Sequence, residues 1–157
     1  MMEIEDFMRE AIRLSIENVK LRNGGPFGAV IVKDGKIIAR GFNKVTSTND
    51  PTAHAEVVAI REACKELGSF QLTGCELYTS CEPCPMCLGA IYWARPDKMY
   101  FANSKSDAAA IGFDDQFIYE EIELPVTGRH LATEQMLNDE ALVAFKEWQQ
   151  KSDKIEY

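Results

Sequence analysis

Residues 75–94 read C-E-L-Y-T-S-C-E-P-C-P-M-C-L-G-A-I-Y-W-A. The first six predict a short buried strand, and the last seven predict a helix that stops before Pro96. Between them lies S-C-E-P-C-P-M-C (80–87), three cysteines each two residues apart. Either Cys81 and Cys84 or Cys84 and Cys87 could act as a metal-binding or redox pair at this joint.

The flanking sequence extends the pattern. Ile4, Phe7, Met8, Ala11, Ile12, Ser15 and Val19 recur at helical steps, and Asn23-Gly24-Gly25-Pro26 ends that helix. F-G-A-V-I-V-K (27–33), Asp34-Gly35 and K-I-I-A-R-G-F-N (36–43) predict a β-hairpin with its turn signal in place. A polar loop over 43–52 precedes a helix, H-A-E-V-V-A-I-R-E-A-C-K-E-L-G, closed by Gly68. Beyond Pro96, K-M-Y-F-A predicts a strand, S-D-A-A-A-I-G a short helix, and 113–133 loops and short strands. E-A-L-V-A-F-K-E-W-Q-Q-K predicts a closing helix with a polar tail. A hairpin followed by alternating helix and strand implies a layered α/β domain with helices on both faces of the sheet.

The chain has 157 residues, 46% of them apolar, which suits one domain with a core of its own. Its 25 acidic and 17 basic side chains give a net charge of −8, a poor start for phosphate-backbone binding. A small nucleobase-like substrate fits better than a nucleic acid. The N-terminus lacks a signal-peptide pattern, and no apolar run approaches a membrane span. Five cysteines, three of them crowded together, make a poor disulfide framework and point to reduced thiols in the cytoplasm.

Asp50-Pro51 launches the helix that begins T-A-H-A-E, so His54 and Glu56 stand at one helix start and the thiols at another. Zinc favours nitrogen and sulfur ligands, and a catalytic zinc keeps three protein ligands with a fourth position for water. One His and two Cys meet that count. Glu56 is placed to move protons beside such a site. Two other readings use the same residues. A structural zinc would enlist Cys81 as a fourth ligand, making a binding domain with an idle Glu56. A redox dithiol would leave both His54 and Glu56 unexplained. Cys64 and Cys75 read as small buried hydrophobes, and His130 as a surface or packing residue.

H-A-E followed by P-C-P-M-C resembles the H-x-E…P-C-x-x-C signature of the zinc nucleobase and nucleoside deaminases. G-G-P-F-G-A-V-I-V, N-D-P-T-A-H-A-E, Y-T-S-C-E-P-C-P-M-C-L-G-A-I-Y-W-A-R-P, G-F-D-D and the terminal K-I-E-Y together are similar to the short bacterial guanine deaminases. The family pattern places proline before the first ligand cysteine, which selects Pro83-Cys84 and then Cys87 and leaves Cys81 outside. Helix geometry agrees, because a first turn brings Cys84 and Cys87 onto one face where its N–H groups favour thiolates.

The resemblance implies a cytidine deaminase-like fold, a three-layer α/β/α sandwich around a five-stranded mixed sheet. It implies one domain over 1–157, with a C-terminal segment of about 135–157 that subunits of a homodimer could exchange. It assigns one zinc per subunit to His54, Cys84 and Cys87, and the proton shuttle to Glu56. Asn43 would hydrogen-bond the base edge, Phe27 and Trp93 would pack on the ring, and Asp115 would accept from guanine N–H donors. Tyr157 would reach an active site, that of a partner subunit in these relatives. The implied reaction is hydrolytic deamination of guanine to xanthine and ammonia, with attack expected at the purine C6. A tRNA adenosine deaminase and a cytosine deaminase share the motif, although the acidic balance disfavours the tRNA substrate.

Overall fold

The computed structural model describes Met1–Tyr157, and two compact units divide it, Met1–Asp115 and Gln116–Tyr157. The first unit opens with α1 (Ile4–Leu21), whose Glu3 and Asp6 form a reciprocal capping box. Arg22 then takes a left-handed conformation and closes the helix. The hairpin follows as β1 (Gly28–Lys33) and β2 (Lys36–Phe42). Asp34 (φ 50°) and Gly35 (φ 70°) supply the left-handed pair that a tight two-residue turn requires.

The polar loop carries one turn of helix, α2 (Val45–Thr48), before α3 (Ala55–Leu67), which Gly68 ends at φ 60°. Then come β3 (Cys75–Cys81), α4 (Pro85–Ala94), β4 (Lys98–Asn103) and α5 (Lys105–Ala110). The sheet runs β2-β1-β3-β4, antiparallel except for the parallel β3–β4 pair, so it is mixed.

Strand alternation builds two cores. Ala29 and Ile31 of β1 with Cys75 and Leu77 of β3 meet α3 and α4 through Ala55, Ala59, Ala63, Ile91 and Ala94. Val30, Val32 and Tyr78 turn to the opposite face and pack on Phe7 and Leu14 of α1. This is the three-layer arrangement expected, with one correction: the sheet has four strands, not five. After β4 the chain turns helical at once, because Ser104 and Asp107 cap α5 reciprocally. The segment read as loops and short strands instead forms α6 (Gln116–Glu123) and a 3₁₀ turn at Val126–Gly128.

The second unit comprises α6, that turn and α7 (Asn138–Gln150). None of its residues is buried, and Leu131, Met136, Phe145 and Trp148 are among its exposed apolar side chains. Within it, Glu121 pairs with the His130 ring and accepts from the His130 backbone N–H, so His130 is a surface ion-pair residue. No helix is long and apolar enough to cross a membrane.

Candidate active site

Two helix starts converge at the end of β3. His54 is the N-cap of α3, and Cys84 is the N-cap of α4 with Pro85 as its first helical residue. Both caps are extended, and neither side chain caps its own helix. Both are therefore available to a common partner. Cys87, in the first turn of α4, completes the group. His54 Nδ1 lies 3.5 Å from Cys84 Sγ and 3.4 Å from Cys87 Sγ, with all three donors within 4.8 Å of one another.

These separations can be tested against a metal. Zn–S bonds of about 2.3 Å and Zn–N bonds of about 2.05 Å at the tetrahedral angle give an N···S edge of about 3.5 Å. The observed edges match, so the donor set fits a tetrahedral zinc in spacing as well as in chemistry. Cys81 is outside the cluster. Its Sγ faces the Ser104 carbonyl oxygen at 3.8 Å, and burial pushes the thiol up to about 11. Cys84 is held low, to about 4, chiefly by its hydrogen bond with Cys87 and also by His54, whereas that same bond and burial push Cys87 up. Its hydrogen bond with Cys84 raises His54.

Glu56 stands in the first turn of α3 and is 6% exposed. Burial raises its carboxyl above the ordinary range, opposed by hydrogen bonds involving Cys87 and Thr79. Thr79 Oγ1 lies 3.0 Å from Glu56 Oε1 and 3.1 Å from the Cys81 carbonyl oxygen. Its single proton can serve either acceptor, and the hydroxyl oxygen can itself accept from a protonated carboxyl. Glu56 thus keeps a hydrogen-bond partner in both of its protonation states. What brings α3 this close is Gly41 on β2, where a Cβ would sit 2.3 Å from the Ala55 carbonyl oxygen and 2.5 Å from the Ala59 nitrogen.

The remaining residues picked from sequence are not members of the donor cluster. Asn43, 6% exposed, follows β2, and its Oδ1 accepts from the backbone N–H of Gly25 (3.2 Å) and Val45 (3.1 Å). Phe27 packs on the α3 side of the core and meets Phe113 edge-on at 5.0 Å. Burial raises the Asp115 carboxyl, and the negative charge of Cys84 adds to the effect. Trp93 is 61% exposed on α4, six residues beyond Cys87 and on a different face of the helix. Tyr157 belongs to the second unit and is exposed. Cys64 and Cys75 are apolar packing residues whose thiols burial pushes up.

A cavity of about 190 Å³ lies on the α1 face, lined in part by Ser15, Val19, Phe27, Cys81 and Asp107. None of His54, Glu56, Cys84 or Cys87 lines it, so it is separate from the metal cluster. Sequence reading missed Thr79 and Gly41. Thr79 could have been found from β3, where it continues the Cys75-Leu77 face toward α3. Gly41 carried no comparable signal, because its role depends on how closely another element approaches.

Residues 1–103 match the family described as the cytidine and deoxycytidylate deaminase zinc-binding region. The chain is 57% identical over 156 residues to the guanine deaminase of Bacillus subtilis (strain 168), covering 99% of this chain and 100% of the relative. The X-ray structure of a guanine deaminase from Bacillus subtilis superposes with a TM-score of 0.96 at 57% identity, over 99% of each chain. A guanine deaminase from Nitrosomonas europaea gives a TM-score of 0.70 at 34% identity, over 73% of this chain and 66% of the other. A tRNA-specific adenosine deaminase of Aquifex aeolicus (strain VF5) is 51% identical, but over 77 residues, 49% of this chain and 51% of the relative.

Proposed function

The chain belongs to the cytidine and deoxycytidylate deaminase zinc-binding family, and from that membership we infer a zinc-dependent aminohydrolase that converts guanine and water to xanthine and ammonia. One observation carries the chemistry: the buried Glu56 carboxylate stands beside a three-donor cluster that leaves a tetrahedral metal one position short. Similarity at 57% identity along the whole chain to a guanine deaminase supports the substrate, whereas tRNA-specific adenosine deaminases match at lower identity over less of the chain.

His54, Cys84 and Cys87 would hold the zinc, which when bound acidifies a water in its remaining position so that hydroxide is available near neutral pH. Attack at C6, expected from the sequence, does not balance, because C6 of guanine already carries the carbonyl oxygen. The amino group that departs is on C2, so the water oxygen adds there. Glu56 takes one proton from the attacking water and passes it to N3, then delivers the second to the amino nitrogen as the C2–N bond breaks. Ammonia leaves and C2 becomes the second carbonyl of xanthine. Thr79 keeps the Glu56 side chain in place while its charge changes. Asn43 donates to an acceptor on the purine edge, Phe27 and Trp93 pack on the ring, and Asp115 accepts from N–H donors.

The protein is also proposed to act as a homodimer in which the C-terminal segment, about 135–157, is exchanged and Tyr157 completes the partner's site. The absence of any buried residue over 116–157 supports this, because a segment with so much exposed apolar surface gains by docking. Its five unpaired thiols suit the cytoplasm. Ammonia release from guanine, cytosine, adenine, their nucleosides and a tRNA stem-loop tests the substrate. Guanine is expected to lead, and preference for cytosine or the stem-loop would overturn the reading. Glu56→Gln is expected to keep its zinc and lose about 10²–10⁴-fold in turnover. Normal deamination by that variant would remove Glu56 from the mechanism.

A further inference from the structure

We propose that Asn18, on α1, is a positioning residue that presets the purine-edge contact of Asn43. Asn18 is 2% exposed, and its amide is used at one end only. Nδ2 donates to the Gly25 carbonyl at 2.7 Å and to the Asn43 carbonyl at 2.9 Å, while Oδ1 has no partner. Because both neighbours are carbonyl oxygens, the amide has only one acceptable orientation.

The two carbonyls it grips belong to the glycine loop before Phe27 and to Asn43 itself, at the end of β2. Gly25 O also accepts from the Phe27 backbone N–H at 2.9 Å, and the Asn43 backbone N–H donates to Phe27 O at 3.2 Å. The Asn43 Oδ1 is meanwhile occupied by the N–H groups of Gly25 and Val45. Every other polar group of Asn43 is therefore committed, and its Nδ2 is the one left for a ligand. The Gly24 backbone closes against this knot, since a Cβ there would sit 2.5 Å from both Asn43 O and Asn43 Oδ1. Asn18 thus ties the helix, the glycine loop and the end of β2 together at the point where Asn43 becomes a fixed donor. A fixed donor selects purines that present an acceptor at that edge.

The inference rests on the reading of Asn43 as a contact to the base, and a double-mutant cycle separates the two. Asn18→Ala, Asn43→Ala and the double variant are compared as zinc-loaded protein for zinc content, kcat and KM with guanine. Asn18→Ala is expected to keep its zinc and lose about 10- to 100-fold in kcat/KM, mostly through KM. In the Asn43→Ala background the same change is expected to have almost no further effect. If the two losses multiply instead, Asn18 does not act through Asn43 and the proposal fails. If Asn43→Ala alone leaves KM unchanged, the reading of Asn43 as a base contact fails, and the proposal with it. Asn18→Ser, which is smaller and retains one donor, is run in the same cycle, and an intermediate KM is expected. If neither Asn18 variant folds, the residue is part of the general framework and the proposal is overturned.

Discussion

Gly41→Ala is a small substitution with a consequence at the metal. The added Cβ would lie 2.3 Å from the Ala55 carbonyl oxygen, 2.5 Å from the Ala59 nitrogen and 2.9 Å from the Ala59 Cβ, where ordinary contact begins at 3.4 Å. All three atoms are in the first two turns of α3, and two of them are backbone, so no side chain can swing aside. The start of the helix must retreat by about 1 Å, carrying His54 and Glu56 with it, while Cys84 and Cys87 remain on α4. Overpacking of this kind costs about 1–3 kcal/mol. For a chain of this length that lowers Tm by about 2–4 °C per kcal/mol. A displacement of about 1 Å in reacting groups costs about 10²-fold in rate, and the N···S edges move off tetrahedral spacing. The assay measures thermal unfolding, zinc affinity by chelator competition, and ammonia release. Gly28→Ala serves as the control, since its Cβ would meet Ala11 O at 2.4 Å and the Leu14 Cβ at 2.7 Å on the opposite face of the sheet. It is expected to lose similar stability and keep its zinc. If Gly41→Ala loses stability but binds zinc and turns over normally, close approach of α3 does not set the site.

Cys81→Ser is expected to retain one zinc per chain, because the thiol faces Ser104 O rather than the donor cluster; metal analysis showing loss of zinc would bring Cys81 into the ligand set. Glu10 bonds Arg13 and, across to β2, Arg40, and the Arg13 hydrogen bond leads in lowering its carboxyl from 4.5 to about 2. A lowered carboxyl contributes stability above its unfolded value, and that contribution is lost as pH falls through the folded one. Urea unfolding should therefore show Glu10→Gln weaker by about 1 kcal/mol or less at pH 7, given exposed arginine partners, with the gap closing between 4.5 and about 2. A gap that persists below that range would assign the effect to packing. Removal of Glu156 and Tyr157 is expected to weaken guanine turnover, with sedimentation testing the proposed dimer; unchanged values for both would release Tyr157 from the site.

The first unit was legible because its signals are local. Asp34-Gly35 fixed the hairpin and Gly68 the end of α3, each through a left-handed backbone that the residue accepts. The metal cluster was legible for a related reason: His54, Cys84 and Cys87 have few other uses in that pattern. Asn18 was not. The helical stripe of α1 includes Phe7, Ala11 and Ser15, which are buried, but also Ile4 and Val19, which are more than half exposed, and it omits the buried Leu14 and Asn18. A polar residue on the buried face of a helix is invisible to apolar periodicity, although its spacing from Ala11 and Leu14 would have placed it there. Thr79 is the same case on a strand.

Within 116–157 the closing helix α7 was legible as a helix, whereas α6 was not. Periodicity locates a helix best when an apolar face is buried by its neighbours, and no residue of α6 is buried. Phe117 and Ile122 on α6, and Phe145 and Trp148 on α7, are all at least 43% exposed. Selection on such positions answers to whatever covers them rather than to the segment itself. That explains why α6 resembled loop and short strand in the sequence, with Gln116 to Glu123 mixing aromatic, β-branched and acidic residues. It also makes the exchange proposal more demanding than a simple dimer contact. A partner that covers only α7 would leave Phe117 and Ile122 in water, so the buried interface has to reach α6 as well. Substituting Phe117 and Ile122 together with Ser should then weaken the dimer about as much as substituting Phe145 and Trp148, and a dimer indifferent to the first pair would confine the exchanged surface to the terminal helix.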